Sequence, residues 1–190
     1  MQGCSLKASG PIRLIRQHHA VISRLDVSGS LPTSEGSAAI YCEDSMDVTI
    51  REVRVQHGQQ GTGILFVRCH RLRIERVEVV ANGIAVPNSM CAHRWKDCDN
   101  IHGMASEHVS MREVQVMGGS SGIELHLCTF AKLYRIVAFE LRGPFPRGQA
   151  VQFSRSPHSS LLDFYAKNTA DRSWCVRLDP THSALEFRAV

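Results

Sequence analysis

Apolar residues recur along the chain as a repeated arrangement of short segments. In each copy, an apolar anchor is preceded ten residues earlier by another apolar residue, and in most copies two more follow, three and five residues later. Segments such as residues 48–55 (VTIREVRV) alternate apolar and polar positions and are rich in β-branched side chains, which is typical of strands in a sheet. Seven copies are present, with anchors at Ile22, Ile50, Ile74, Met111, Leu133, Leu161 and Leu185.

The spacing of these anchors indicates a solenoid. Successive anchors are 28, 24, 37, 22, 28 and 24 residues apart, and all the variation falls between the second strand of one copy and the first strand of the next. Stacked coils with loops of variable length account for this pattern. The sequence therefore predicts an all-β fold, a parallel β-helix of about seven coils that forms a single domain over residues 1–190, with a long loop insertion at residues 81–100.

Two polar rows fit the same repeat. Five residues before the anchors, five of the seven positions are Ser or Cys, and we expect these small side chains to turn inward at a bend, so that Cys69 and Cys128 are buried thiols. Two residues after the anchors the charges alternate in sign, which predicts an exposed ionic ladder between coils, with little energy per pair. The ladder positions are Arg24, Glu52, Arg76, Glu113, Arg135 and Asp163.

Composition and charge limit the partners. Lys and Arg number 22 against 18 Asp and Glu, a net charge of +4 without a run of like charges, which argues against nucleic acid. No apolar stretch approaches the roughly 20 residues that span a bilayer, so no membrane partner is expected. The first ten residues lack the features of a signal peptide, which fits either a cytoplasmic chain or a natural start upstream of Met1 in a longer secreted or phage protein. Seven cysteines, an odd number, argue against a complete disulfide framework.

The strand–bend–strand motifs resemble those of a known superfamily. Residues 63–83 (GILFVRCHRLRIERVEVVANG) and 122–143 (GIELHLCTFAKLYRIVAFELRG) are similar to the right-handed parallel β-helix repeat of the pectate-lyase-like superfamily, and the resemblance covers essentially the whole chain. It implies a right-handed solenoid associated with carbohydrates. Because the superfamily includes lyases, glycoside hydrolases, epimerases and non-catalytic phage tail-spike segments, two functions stay open. One is polysaccharide binding or processing in a lyase-like or hydrolase-like groove, and the other is a structural or sugar-binding segment of a larger assembly.

The resemblance also implies where a substrate would bind. In this superfamily the groove usually follows the outer face of the first strand of each coil, and here the middle of that face is polar. His102, Glu124 and Gln152 are expected to stack there, with His126 beside them. A histidine next to a carboxylate can exchange a proton with a sugar hydroxyl or ring hydrogen. We therefore predict His102, Glu124 and His126 as catalytic residues and Gln152 as a substrate-binding residue.

The long loop opens toward these residues and adds further candidates. Trp95 could stack on a sugar ring, Arg94 and Lys96 could hold uronate carboxylates, and Asp97 lies beside them. We predict these four residues to be substrate-binding, with an acidic or neutral polysaccharide as the partner.

Cysteines and histidines in the same region are candidate metal ligands. Cys91, His93, Cys98 and His102 lie within twelve residues, and zinc, a Cys91–Cys98 disulfide and free thiols are the alternatives. The spacing does not match a familiar zinc motif, so we predict no metal and no cofactor. Six further histidines lie on the bends, where we expect neutral imidazoles bonded to backbone: His18, His19, His70, His108, His158 and His182.

Neither end of the repeat has an evident cap. Residues 4–10 resemble the closing strand of a coil that lacks its opening strand, and the chain stops inside the seventh copy. An uncapped solenoid exposes core side chains and unpaired strand edges. Three explanations fit these ends: a fragment of a longer β-helix, a truncated product, or a protomer that stacks through its ends. We predict self-association through the solenoid ends.

Overall fold

The computed structural model describes residues 6–8, 10–29, 31–33, 36–58, 61–82, 99–141, 143, 148–167, 176–178 and 185–189. Within these ranges the regular structure is all β, and no helix has the length and apolar character of a membrane span. The strands are β1 (Leu6–Ala8), β2 (Ile12–Ile15), β3 (Val21–Ser28), β4 (Leu31–Thr33), β5 (Gly36–Glu43), β6 (Thr49–His57), β7 (Thr62–Val67), β8 (Arg73–Ala81), β9 (Asp99–Met104), β10 (Ser110–Met117), β11 (Ser121–His126), β12 (Lys132–Phe139), β13 (Val151–Ser154), β14 (Ser159–Lys167), β15 (Val176–Leu178) and β16 (Leu185–Ala189).

The strands form two parallel sheets, as expected for a β-helix. The opening sheet has the order β15-β13-β11-β9-β7-β5-β2, and the closing sheet has the order β1-β3-β6-β8-β10-β12-β14-β16. Seven coils each contribute one opening and one closing strand, and the short β4 pairs antiparallel with β5. β1 is an additional closing strand that pairs with β3, which agrees with the predicted closing strand at Leu6–Ala8. The predicted parallel β-helix is confirmed.

The first six coils have the register that the repeat predicts. On the closing sheet, the anchor residues face one another from Ile22 to Leu161. On the opening sheet, the residues from Ile12 to Val151 do the same. Most of these side chains are fully buried between the sheets in one continuous core. Burial of apolar surface in these stacked rows is the main stabilising contribution to the fold.

The seventh coil departs from the predicted register. Val151 faces Val176 rather than Cys175, and Leu161 faces Phe187 rather than Leu185. The predicted alignment would turn Arg177 toward the core, where an unpaired guanidinium is strongly unfavourable. The shift instead leaves Arg177 exposed and in register with Gln152.

A left-handed residue bends the closing strand in each of the first six coils. The six ladder residues, from Arg24 to Asp163, all have φ between 51° and 57°, and strand pairing passes over them. This bend explains why the anchor and the residue three positions later both face inward, which a straight strand with a period of two does not allow. The corner therefore fixes the spacing of apolar residues seen in the sequence.

The inward Ser/Cys row is confirmed, and ion pairs join four of the five steps of the predicted ladder. Among the described residues, the step from Arg76 to Glu113 is the exception. Glu52 contacts Arg24 and Arg76, each at 2.9 Å, and these hydrogen bonds hold the pKa of its carboxyl below the ordinary value. Inside the bend, the Ser106 hydroxyl accepts a hydrogen bond from the Cys69 amide at 2.9 Å, and Ser156 does the same for Cys128 at 3.0 Å. Cys69 and Cys128 are free, buried thiols, and burial raises the pKa of Cys128 to about 12.

Candidate active site

A hydrogen-bonded Asp–His pair lies at the start of β9. The Nδ1 atom of His102 is 2.9 Å from Oδ2 of Asp99, and the two side chains are 4% and 0% exposed. Residues three apart on a regular strand point to opposite faces. The ladder skips Asn100 between Asp99 and Ile101, as it skips Ala39 between Ala38 and Ile40, which marks a corner that these coils share. At this corner the Asp99 carboxylate reaches His102.

Glu124 completes a compact cluster with this pair. It is the register partner of His102 on the neighbouring strand β11, about 4.8 Å away along the solenoid. One ligand-type atom from each of Asp99, His102 and Glu124 lies within 4.8 Å of the other two. Glu124 is only 4% exposed and His102 only 3%. These residues are therefore not ordinary solvated positions on the outside of a sheet, and their burial strengthens the electrostatic interactions among them.

The structure brings three of the predicted site residues into one row. Gln152 is the register partner of Glu124 on β13 and is partly buried, so His102, Glu124 and Gln152 are stacked as expected. His126 lies two residues beyond Glu124 on β11 and pairs in register with Met104 and Ser154. It borders the cluster from the second outward row.

The part of the same outer face that precedes His102 contains an apolar cluster. Ala38, Tyr41, Leu65 and Val67 form a buried cluster separate from the main core. Tyr41 and Leu65 precede His102 in the outward row. The polar cluster is thus bordered on one side by apolar side chains and on the other by Gln152, which is the composition expected for a ligand site with a few fixed polar groups.

A second buried histidine supports the corner beside Asp99. The Nε2 atom of His57 is 3.2 Å from Oδ1 of Asn100, and its Nδ1 atom is 3.0 Å from the carbonyl oxygen of Gly58. The Asn100 amide group donates to the carbonyl oxygens of Gly118 and Ser121 at 2.9 and 3.0 Å, which fixes the orientation of its side chain. Burial lowers the pKa of His57, although the hydrogen bond with Asn100 opposes this shift. We interpret His57 and Asn100 as structural support for the start of β9.

The cluster allows two kinds of chemistry. If Nδ1 of neutral His102 donates to Asp99, the proton-accepting nitrogen is Nε2, in the arrangement that orients an imidazole as a general base. Alternatively, an imidazole and two carboxylates are suitable ligands for a divalent transition metal. The sequence analysis placed Asp99 and Asn100 at the end of the long loop and predicted no role for either, whereas both belong to β9. The spacing Asp-x-x-His was the available signal.

Several predicted residues lie outside the described part of the chain. These are the substrate-binding candidates Arg94, Trp95, Lys96 and Asp97, and the possible metal ligands or disulfide partners Cys91, His93 and Cys98. The structure therefore tests none of these assignments.

Comparisons with known proteins give structural likenesses at low identity. No family model matches the chain, and no curated protein matches it. A solved structure described as a putative glycosyl hydrolase from Parabacteroides merdae ATCC 43184 is 12% identical, with a TM-score of 0.49, over 86% of this chain and 85% of that one. Two structures of QnrB1, a plasmid-mediated fluoroquinolone resistance protein, are 10% and 11% identical, with TM-scores of 0.21 and 0.23. In both cases the match covers 90% of this chain, and it covers 92% and 94% of the two QnrB1 chains.

Proposed function

We propose that the chain processes an acidic polysaccharide on the outer face of the opening sheet. The observation that carries the proposal is the buried Asp99–His102 hydrogen bond beside Glu124. Paired acid and base groups held in a low-dielectric environment are typical of sites that transfer protons. The resemblance to pectate-lyase-like repeats supports carbohydrate as the substrate class, since grooves in that superfamily follow the corresponding face.

The geometry favours elimination over inverting hydrolysis. Inverting glycosidases place their two carboxyl groups about 6.5–9.5 Å apart to leave room for a water molecule. In the cluster, a carboxylate oxygen of Asp99 and one of Glu124 lie within 4.8 Å of each other, and Asp99 is hydrogen-bonded to His102. The two carboxylates are therefore too close together for an inverting pair, whereas the hydrogen bond to Asp99 orients His102 to act as a base.

An elimination would assign a role to each residue. Nε2 of His102 removes the proton from C5 of a uronate ring, and the electron pair of that C–H bond forms the C4=C5 double bond. The C4–O4 bond breaks, and the departing oxygen takes a proton from Glu124 in its acid form. Asp99 orients His102 and stabilises the imidazolium that forms. Gln152, next along the row, can donate hydrogen bonds to a neighbouring sugar.

The burial of the cluster limits how a substrate can reach it. At 3% and 4% exposure, His102 and Glu124 contact a sugar only if it displaces the groups that cover them. The same burial favours a second candidate function, in which the Asp99–His102–Glu124 cluster is a structural network in a non-catalytic, sugar-binding β-helix. Fully satisfied buried polar networks can stabilise a specific arrangement without chemistry.

An activity screen separates the two candidates. Purified chain is incubated with polygalacturonate, alginate and a neutral glucan, and ultraviolet absorbance of unsaturated products and the number of reducing ends are followed. We expect product from a uronan, and a loss of about 100-fold or more in Glu124→Gln and in His102→Gln. Glu140→Gln, which removes the same charge at an exposed position, is expected to keep full activity. Binding without product would support the structural candidate, and activity unchanged in both site variants would reject the catalytic assignment.

Metal content is a separate test of the same cluster. The acid–base proposal expects less than one divalent ion per chain by mass spectrometry of purified protein, and activity that persists after treatment with EDTA. One tightly bound ion per chain, lost in the Glu124→Gln variant together with activity, would instead assign Asp99, His102 and Glu124 as metal ligands.

A further inference from the structure

A shallow basic groove follows one corner of the β-helix, away from the outer face of the opening sheet. Two adjoining depressions, of about 450 and 310 Å³, share Arg71 and Arg73. The larger is lined by His70, Arg71, Arg73, His108, Val109, Ser110, Phe130 and Lys132, and the smaller by His19, Asp47, Thr49, Arg71 and Arg73.

Two rows of side chains form the walls of this groove. The first row lies on the left-handed corner three residues before each anchor, where φ is between 54° and 57° from His19 to His158. The second row lies at the start of the closing strands, where Thr49, Arg73, Ser110 and Lys132 are successive register partners. Because each row advances by one coil at a time, the groove is linear and parallel to the solenoid axis.

The charges in the groove are not all compensated. Arg71 is paired with Asp47 through two hydrogen bonds of 2.6 and 2.7 Å, which lower the pKa of Asp47. Arg73 and Lys132 are exposed and form no ion pair with any residue of the described ranges. Since Ser110 lies between them in the register, these two cations are two coils apart, or about 10 Å along the groove.

We propose that this groove binds a linear acidic polysaccharide through its carboxylates. Arg73 and Lys132 would each hold a carboxylate group, and the hydroxyl groups of Thr49 and Ser110 would bond to sugar hydroxyls between them. Two cations spaced along a straight groove match a polyanion whose charges recur along its length. The proposal does not depend on catalysis at His102, because the groove lies on a different face of the coils.

The aromatic residues favour a polysaccharide over a single-stranded nucleic acid. Such nucleic acids usually bind by stacking their bases on exposed aromatic faces. In this groove the rings of His108, Phe130 and His158 stack on one another, with centroids 5.0 Å apart and interplanar angles of 9° and 13°. Both faces of the Phe130 ring are therefore covered, which leaves no open face of this ring on which a base could stack. The predicted bonding of these bend histidines to backbone is replaced, for His108 and His158, by ring stacking.

Binding measurements on the inactive background test the proposal. Isothermal titration calorimetry with oligogalacturonate and oligoalginate is carried out at low salt on the Glu124→Gln variant, so that substrate is not consumed. Adding Arg73→Ala and Lys132→Ala together is expected to weaken binding about tenfold or more, because each substitution removes a charge-assisted hydrogen bond. The matched control, Arg16→Ala with Arg155→Ala, removes two charges from exposed positions on another corner and is expected to leave the affinity within about twofold.

The outcomes separate this proposal from the one for His102. Binding that depends on Arg73 and Lys132, without enzymatic activity, would support the groove and reject catalysis. Enzymatic activity with an affinity that the Arg73/Lys132 double substitution leaves unchanged would support catalysis and reject the groove. Equal loss in the control pair would show non-specific electrostatic attraction and overturn the proposal. The proposal would also be overturned if a single-stranded oligonucleotide or a neutral glucan bound as tightly as the uronans. Circular dichroism of each variant confirms that the coils are intact.

Discussion

Nδ1 of His102 lies 2.9 Å from Oδ2 of Asp99, and both side chains are almost completely buried on the outer face of a parallel β-helix. A carboxylate in this position fixes the tautomer and orientation of the imidazole. The register places Glu124 next to the same histidine. These relationships give the outer face of the opening sheet a chemical character that is absent from an ordinary surface row of a solenoid.

Replacing the orienting carboxylate tests the role of this hydrogen bond. In Asp99→Asn the amide can donate to Nδ1, which favours the wrong tautomer of His102. We expect the kcat for uronan cleavage to fall by about 10²–10⁴-fold, with a small change in KM because Asp99 does not contact substrate. Steady-state kinetics across pH checks this. A loss confined to KM would contradict the orienting role.

His126 is expected to contribute less than His102. It lies two residues beyond Glu124 on the same strand, about 7 Å along it, and its register partners are Met104 and Ser154 rather than members of the cluster. We expect His126→Ala to reduce kcat less than tenfold, while His102→Ala reduces it at least 100-fold. Parallel kinetic measurements on the two variants decide the assignment, and equal losses would support the prediction of His126 as a catalytic residue.

His57 is expected to make stability depend on pH. Burial lowers its pKa below the value of the unfolded chain, so the unfolded state binds more protons as the solution is acidified. This contribution to stability is fully present above about pH 6.5 and is lost as the pH falls through the pKa of the folded state. We expect the Tm to decrease from pH 7 to pH 5, and His57→Gln to reduce that slope.

The matched control for this measurement is Gln56→Ala, which changes the residue next to His57 without changing a titratable group. Its slope between pH 7 and pH 5 is expected to equal that of the unaltered chain. An unchanged slope in His57→Gln would show that other groups cause the acid sensitivity.

Because the backbone at the corners is left-handed, we expect a substitution by glycine at a corner to stabilise the fold. Ala105 is exposed and has a φ of 46°, a conformation that costs a residue with a Cβ atom about 1–2 kcal/mol. Even after the entropy lost by glycine on folding, we expect Ala105→Gly to raise the free energy of unfolding by about 0.5 kcal/mol. Urea unfolding measures this difference. Ala131→Gly, at a buried position outside the left-handed region, is expected to lower it by about 1 kcal/mol or more, and destabilisation by both would contradict the interpretation.

The sequence predicted the coils well where apolar rows repeat without competition. From Ile12 to Val151 and from Ile22 to Leu161 the register is as predicted, because a slip of one residue would turn every inward side chain outward. In the seventh coil the segment Cys175-Val-Arg-Leu178 offers apolar residues in both phases. The need to keep Arg177 out of the core selects the phase that alignment by spacing missed.

The candidate site was only partly predictable from the sequence. The row of His102, Glu124 and Gln152 follows directly from coil register. The contact between Asp99 and His102 does not, since regular strand alternation places residues three apart on opposite faces. It depends on the corner at Asn100, whose amide donates to the carbonyl oxygens of Gly118 and Ser121. Such tertiary hydrogen bonds leave no periodic signal in the sequence.

The most direct test of the site is a crystal structure of the Glu124→Gln variant with bound tetrasaccharides of galacturonate, mannuronate or guluronate. The proposed function predicts a sugar on the outer face of the opening sheet, with C5 of one uronate ring near Nε2 of His102 and the bridging oxygen near residue 124. Sugar bound only elsewhere on the coils, with Asp99, His102 and residue 124 still enclosed, would contradict the catalytic assignment.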